Sequence, residues 1–109
     1  MKPRRVPFLC SRHRLRSPTA AAVFGGHPDL EVDSAGLADD AETPLSPDQL
    51  VWADLIVVME GSHRRRLQAR HGTHLRGKRV VCLDIPDRYD YMQPELVELL
   101  LRKVEPLLR

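Results

Sequence analysis

VPFLCSRHRLRSPTAAAVF, residues 6–24, is the stretch of this 109-residue chain that decides the fold. Its first five residues form a short apolar run that suits a buried strand and ends in a polar, arginine-rich loop. Ser17, Pro18 and the helix formers behind them then predict a helix with Ser17 as its cap, closed by a pair of glycines. The stretch therefore predicts a strand, a loop and a helix, the opening unit of an α/β domain.

The same alternation of strand and helix continues to the end of the chain. Further strands are expected at residues 30–34, 54–59 and 79–84. Further helices are expected behind the caps Ser46 and Ser62 and over residues 94–108. This order predicts an α/β fold, a four-stranded parallel sheet with right-handed crossovers and helices on both faces. Ligands of such sheets bind beyond the carboxyl ends of the strands, where the strand order reverses.

The composition fits a single domain over residues 1–109. Apolar residues make up 42% of the chain and charged residues 29%, and no apolar run approaches the ~20 residues that span a bilayer. The basic start of the chain carries too short an apolar stretch for a secretory signal. We therefore expect a cytoplasmic protein without a membrane partner, in which Cys10 and Cys82 are free thiols.

Charge is sorted into blocks along the sequence. Residues 1–28 and 61–79 carry Lys and Arg but no acid, whereas residues 29–60 carry nine acids and no Lys or Arg. The two positive blocks would attract an anionic ligand, or they are simply solvated faces. Without aromatic residues among the charges or a nucleic-acid motif, no nucleic-acid partner is expected.

The loop after the first strand carries the strongest chemical signal. Cys10 and Arg16 are separated by five residues, and the hydroxyl of Ser17 follows directly. Such a loop can curl its backbone N–H groups around an anion, and a helix that starts at its end adds a positive dipole. The residues expected to bind phosphate are Ser11, Arg12, His13, Arg14, Leu15 and Arg16.

Cys10 is the expected nucleophile of this loop. Helix N-termini and nearby cations favour the thiolate, and a thiolate that faces a bound phosphorus attacks it. Arg16 would clamp two phosphate oxygens with its planar fork, and Ser17 would hydrogen-bond the sulfur. The alternative is that Cys10 is a small apolar residue at a strand end and the arginines are surface charge.

These residues resemble a known family. VPFLC-x5-RSPTAAAVF is similar to the phosphate loop and first helix of low-molecular-weight protein tyrosine phosphatases. DSAG at residues 33–36, ADLIVVM at residues 53–59 and an Asp-containing loop after the fourth strand follow in the family's order, so the resemblance covers nearly the whole chain. It implies a four-stranded parallel sheet, a Cys10 nucleophile, an Arg16 clamp and a supporting Ser17 hydroxyl.

The resemblance also implies an aspartic acid that protonates the leaving oxygen. Asp87 is the expected acid, because it lies past the last strand and ahead of an aromatic residue, and Asp84 is the alternative. Tyr89 and Tyr91 would either line the pocket or anchor this loop. His63 is expected on the surface.

The sequence thus predicts a phosphatase that hydrolyses a phosphomonoester through a cysteinyl-phosphate, without metal or cofactor. The expected partner is a phosphorylated protein, with phosphotyrosine as the substrate, or a small phosphomonoester. One alternative is an arsenate reductase, which needs further mobile cysteines; only Cys82 is left for that role, and a buried strand position is expected for it. The other alternative is a module that binds a phosphorylated partner without hydrolysing it.

Overall fold

The computed structural model describes residues 3–11 and 15–108 of the chain. Within these residues four strands form one sheet, in which all paired strands are parallel and the order is β2-β1-β3-β4. The strands are β1 (Arg4–Cys10), β2 (Leu30–Gly36), β3 (Leu55–Val58) and β4 (Arg79–Cys82). The predicted parallel sheet is confirmed. β1 begins two residues before its predicted start and β2 ends two residues after its predicted end, whereas β3 and β4 are each two residues shorter than predicted.

Helices connect the strands and cover the sheet. They are α1 (Arg16–Phe24), α2 (Pro47–Trp52), α3 (Gly61–His71) and α4 (Pro94–Val104), with single 3-10 turns at Gly72–Leu75 and Glu105–Leu108. The last helix was expected to run to residue 108, but it changes to a 3-10 turn after Val104. Pro106 explains the change, because proline lacks an N–H and its ring clashes with the preceding helical turn.

Two buried clusters lie on opposite faces of the sheet, since neighbouring residues of a strand point to opposite sides. On one face Phe8 of β1 stacks on Phe24 of α1 with ring centroids 5.8 Å apart. Leu96 and Leu100 of α4 complete this cluster. On the other face Leu9 packs with side chains of α2 and α3. Helices therefore cover both faces, as predicted.

The helix caps differ from the sequence prediction at two places. Ser46 caps α2 as expected, with its backbone N–H donating to the Gln49 side chain at 3.0 Å. Ser17, by contrast, lies inside α1, and Ser62 lies inside the first turn of α3, which Glu60 caps instead. The Ser17 hydroxyl therefore does not cap α1.

Candidate active site

The carboxyl ends of the strands meet at one edge of the sheet. The chain leaves β1 toward β2 on one side and later returns to place β3 on the other side, so the strand order reverses between β1 and β3. Hydrogen bonds extend the pairing past the strand ends: the Leu37 N–H donates to the carbonyl of Cys10, and the Ile85 N–H donates to the carbonyl of Met59. The described residues that directly follow the strands are thereby held at this edge.

Cys10 is the last residue of β1 and is buried. Its Sγ lies 3.0 Å from the Oγ of Ser17, which is fully buried in the first turn of α1. Stacking of Phe24 on Phe8 fixes α1 over β1 and so brings the two side chains together. This contact agrees with the expected hydrogen bond of Ser17 to the sulfur, whereas the expected Ser17 helix cap is not formed.

Arg16 is the buried cation of the site, with only 3% of its surface exposed. Its Nη1 donates to Glu60 Oε2 at 2.8 Å and to the Ile85 carbonyl at 2.8 Å. Its Nε lies 3.7 Å from Asp87 Oδ1. The guanidinium is thus held by the segments that follow β3 and β4, and an arginine can do this because its donors form a rigid fork.

Glu60 and His63 are functional candidates that the sequence analysis missed. The Glu60 backbone N–H donates to His63 Nδ1 at 3.2 Å, and His63 Nε2 lies 3.3 Å from Glu60 Oε2. Burial, followed by the charge of Arg16, lowers the pKa of His63 and so favours the neutral ring. Because Nδ1 accepts the Glu60 backbone N–H, the proton of the neutral ring is on Nε2, which faces the carboxylate. The expectation that His63 lies on the surface is wrong, because α3 turns it under Glu60.

A cleft of about 460 Å³ opens beside Arg16 and is called the Arg16 cleft below. It is lined by Ser11, Arg16, Glu60, Ser62, His63, Arg66 and Asp87. Of the expected phosphate-binding residues, Ser11 and Arg16 line it, and Leu15 caps α1. Arg12, His13 and Arg14 lie outside the described residues.

The two candidate acids lie in different places. Asp87 lines the Arg16 cleft and keeps 64% of its side chain exposed. Asp84 lines a neighbouring crevice, has a positive φ of 55° and accepts a hydrogen bond from Cys82 Sγ at 3.3 Å. Of the two, only Asp87 therefore lines the cleft that contains Arg16.

The tyrosines of this loop do not line the Arg16 cleft. Tyr89 packs against the core cluster beneath α4, with the Arg88 guanidinium 5.6 Å from its ring centre. Tyr91 is exposed. Of the two roles left open by the sequence, anchoring the loop fits Tyr89.

Cys82 is half-buried on the sheet face opposite to Cys10. It pairs in register with Val58, which pairs with Leu9, and all three belong to the cluster beneath α2 and α3. Cys10 belongs to the other cluster. Burial raises the pKa of the Cys82 thiol. A disulfide between the two cysteines would require the sheet to come apart.

Among residues 3–11 and 15–108, no group of three or more His, Cys, Asp or Glu side chains is arranged to hold a metal ion. The helices of this part of the chain are all too short or too polar to cross a membrane.

Several solved structures that are similar to this chain are phosphatases. No protein-family model matches the sequence, and no curated protein matches it. An arginine phosphatase, YwlE from Geobacillus stearothermophilus, is similar in structure with a TM-score of 0.77, 23% identity, and coverage of 97% of this chain and 94% of that chain. The tyrosine phosphatase Wzb from Escherichia coli K30 is similar with a TM-score of 0.75 and 20% identity, and the match covers 94% of this chain and 94% of that chain. The low-molecular-weight protein tyrosine phosphatase from Streptococcus pyogenes is similar with a TM-score of 0.77 and 16% identity, and the match covers 99% of this chain and 91% of that chain. The chain therefore has the fold of the low-molecular-weight phosphatases.

Proposed function

We propose that this chain is a cytoplasmic, cofactor-independent phosphatase of the low-molecular-weight protein tyrosine phosphatase family. The observation that carries the proposal is the 3.0 Å contact between Cys10 Sγ and Ser17 Oγ. Ser17 directly follows the buried Arg16 in the sequence. A cysteine in contact with a hydroxyl at the start of a helix, in the loop that also carries Arg16, suits a thiolate nucleophile. A reducing compartment would keep that thiol free.

In the first step, Cys10 Sγ attacks the phosphorus of a bound phosphomonoester. The S–P bond forms as the P–O bond to the leaving group breaks, and Asp87 gives its proton to the leaving oxygen. In the second step, a water oxygen attacks the cysteinyl-phosphate while Asp87 takes up a water proton. The S–P bond breaks, inorganic phosphate is released, and the Ser17 hydroxyl stabilises the returning thiolate.

Arg16 would bind the phosphoryl oxygens in both steps. Glu60 and the Ile85 carbonyl occupy Nη1, which leaves the Nε and Nη2 edge for a bidentate contact with phosphate. Asp87 Oδ1, 3.7 Å from Nε, would then stand beside the phosphate, where a proton donor is needed. Glu60, held by His63, acts as a positioning residue for the guanidinium.

Phosphotyrosine in a protein is the substrate we propose, with small phosphomonoesters as simpler substrates. The neighbours of this fold include tyrosine phosphatases and an arginine phosphatase. Comparing matched phosphotyrosine and phosphoarginine peptides would separate the two. Faster release of phosphate from the phosphoarginine peptide would contradict the proposed substrate while leaving the phosphatase chemistry in place.

The decisive experiment is hydrolysis of p-nitrophenyl phosphate by the wild type and by Cys10→Ser. We expect turnover by the wild type and a fall to the uncatalysed background in Cys10→Ser, because a neutral hydroxyl is a far weaker nucleophile than a thiolate. The matched control Cys82→Ser should keep wild-type activity, since Cys82 lies on the other sheet face.

Circular dichroism would establish that both variants are folded. Phosphate binding by a folded wild type without turnover would reject the phosphatase and favour the binding module. Equal activity in Cys10→Ser would reject the nucleophile.

A further inference from the structure

The Arg16 cleft contains a second arginine that the proposed chemistry does not use. Arg66 of α3 lines the cleft together with Ser62, one helical turn earlier on the same side of the helix. His63, three residues before Arg66, is buried beneath Glu60 and fixes the rotation of α3. That rotation places Ser62 and Arg66 along the wall of the cleft.

The two arginines of the Arg16 cleft differ in their ion pairs. Arg16 is paired with Glu60 at 2.8 Å, so this carboxylate already balances its charge. In the part of the chain that the structure describes, Arg66 has no carboxylate within salt-bridge distance. Of the other arginines of α3, Arg64 donates to the Val80 carbonyl and Arg70 pairs with Asp39 at 2.8 Å, whereas Arg65 lines the neighbouring crevice. Asp39 is close enough for the Arg66 charge to lower its pKa, but its ion pair is with Arg70, so Arg66 is a cation available to a ligand in the cleft.

We infer that Arg66 and Ser62 form a second anion subsite, so that preferred substrates carry an anionic group beside the scissile phosphate. The inference rests on the proposed function, since it assigns substrate specificity to the same cleft. Arg66 offers several N–H donors and Ser62 a hydroxyl, the groups that bind a carboxylate or a second phosphate. A side chain exposed at the cleft wall would act mainly on substrate binding, and therefore on KM.

Two aryl phosphates that differ by one charge test the inference. 4-(Carboxymethyl)phenyl phosphate and its amide, 4-(carbamoylmethyl)phenyl phosphate, have similar leaving groups because the methylene insulates the ring from the charge. We expect the wild type to prefer the carboxylate through a lower KM. Arg66→Gln should reduce the ratio of the two kcat/KM values by about fivefold, the size of an exposed ion pair.

Arg65→Gln is the matched control. It removes the same charge from the adjacent position of α3, but Arg65 lines the neighbouring crevice rather than the Arg16 cleft. The ratio should stay at the wild-type value in Arg65→Gln. Arg66→Glu should reverse the preference, so that 4-(aminomethyl)phenyl phosphate becomes a better substrate than the carboxylate. An equal fall of the ratio in Arg65→Gln and Arg66→Gln, or a wild type without preference, would overturn the inference.

Binding of non-hydrolysable phosphonates separates this inference from the proposed function. The benzylphosphonates with the same carboxymethyl and carbamoylmethyl groups can be titrated by calorimetry whether or not the protein has turnover. An Arg66-dependent preference for the carboxylate without any hydrolysis would reject the phosphatase and keep the subsite. Hydrolysis with no such preference would reject the subsite alone, and no binding of either phosphonate would reject both.

Discussion

Arg16 is the residue on which the candidate site depends most, because one buried guanidinium contacts Glu60, the Ile85 carbonyl and Asp87 at once. Arg16→Lys keeps the charge but replaces five fixed donors with one compact ammonium. We expect kcat/KM for p-nitrophenyl phosphate to fall by a factor of roughly 10² or more, since the bidentate contact is lost in the transition state.

The matched control for this substitution is Arg64→Lys. Arg64 also donates to a backbone carbonyl, that of Val80, but it lies outside the Arg16 cleft. Its variant should keep near wild-type kinetics, and circular dichroism should show that both variants fold. Wild-type kinetics in Arg16→Lys would mean that this side chain does not clamp phosphate.

At the scale of elements, the sequence predicted β1, β3 and β4 because they are apolar runs and β2 because its apolar and polar residues alternate. It predicted α4 because its apolar residues recur at helical spacing. The Cys10 loop was recognisable from its place between a strand and a helix. His63 was missed because a lone polar residue in an arginine-rich helix gives no sign of burial, whereas its contact with Glu60 exists only after α3 packs. The sequence did offer one sign for Glu60, its position two residues past the end of β3, at the edge where ligands bind.

The loop after β4 contains the two candidate acids, and their separation leads to a prediction about this element. A general acid contributes ~10² to 10⁴ in rate, and more for a poor leaving group. Asp87→Asn should therefore slow phenyl phosphate far more than p-nitrophenyl phosphate. Asp84→Asn should lower both rates by a similar, smaller factor, because Asp84 lines a different crevice and accepts a hydrogen bond from Cys82.

The measurement is kcat for both substrates in both variants. Asparagine tolerates the positive φ of Asp84 well, so the control variant should keep the loop conformation. Leaving-group dependence confined to Asp84→Asn would assign the acid to that residue. If neither variant shows leaving-group dependence, Cys10 and Arg16 remain the proposed catalytic residues, and another group donates the proton.

At the scale of the whole molecule, the buried His63 links folding to pH. Burial and the Arg16 and Arg66 charges lower its pKa below the usual 6.5, against the opposing effects of Glu60 and Asp87. Below about pH 6.5 the unfolded chain takes up a proton at His63 that the folded chain does not yet bind. The free energy of unfolding therefore falls as pH decreases from about 6.5, by at most about 1.4 kcal/mol per pH unit from this residue.

His63→Asn removes this titration and keeps an acceptor for the Glu60 backbone N–H. The pH dependence of its unfolding free energy should be flatter than that of the wild type between pH 5.5 and 7.5, a window of about 2 pH units that brackets the histidine. Urea denaturation followed by Trp52, the single tryptophan, measures this. His71 also has a lowered pKa, from burial and the neighbouring His74 and Arg70, so His71→Asn is the control that subtracts its share. Identical slopes in the wild type and His63→Asn would show that His63 is protonated equally in both states, and its neutral contact with Glu60 would have to be abandoned.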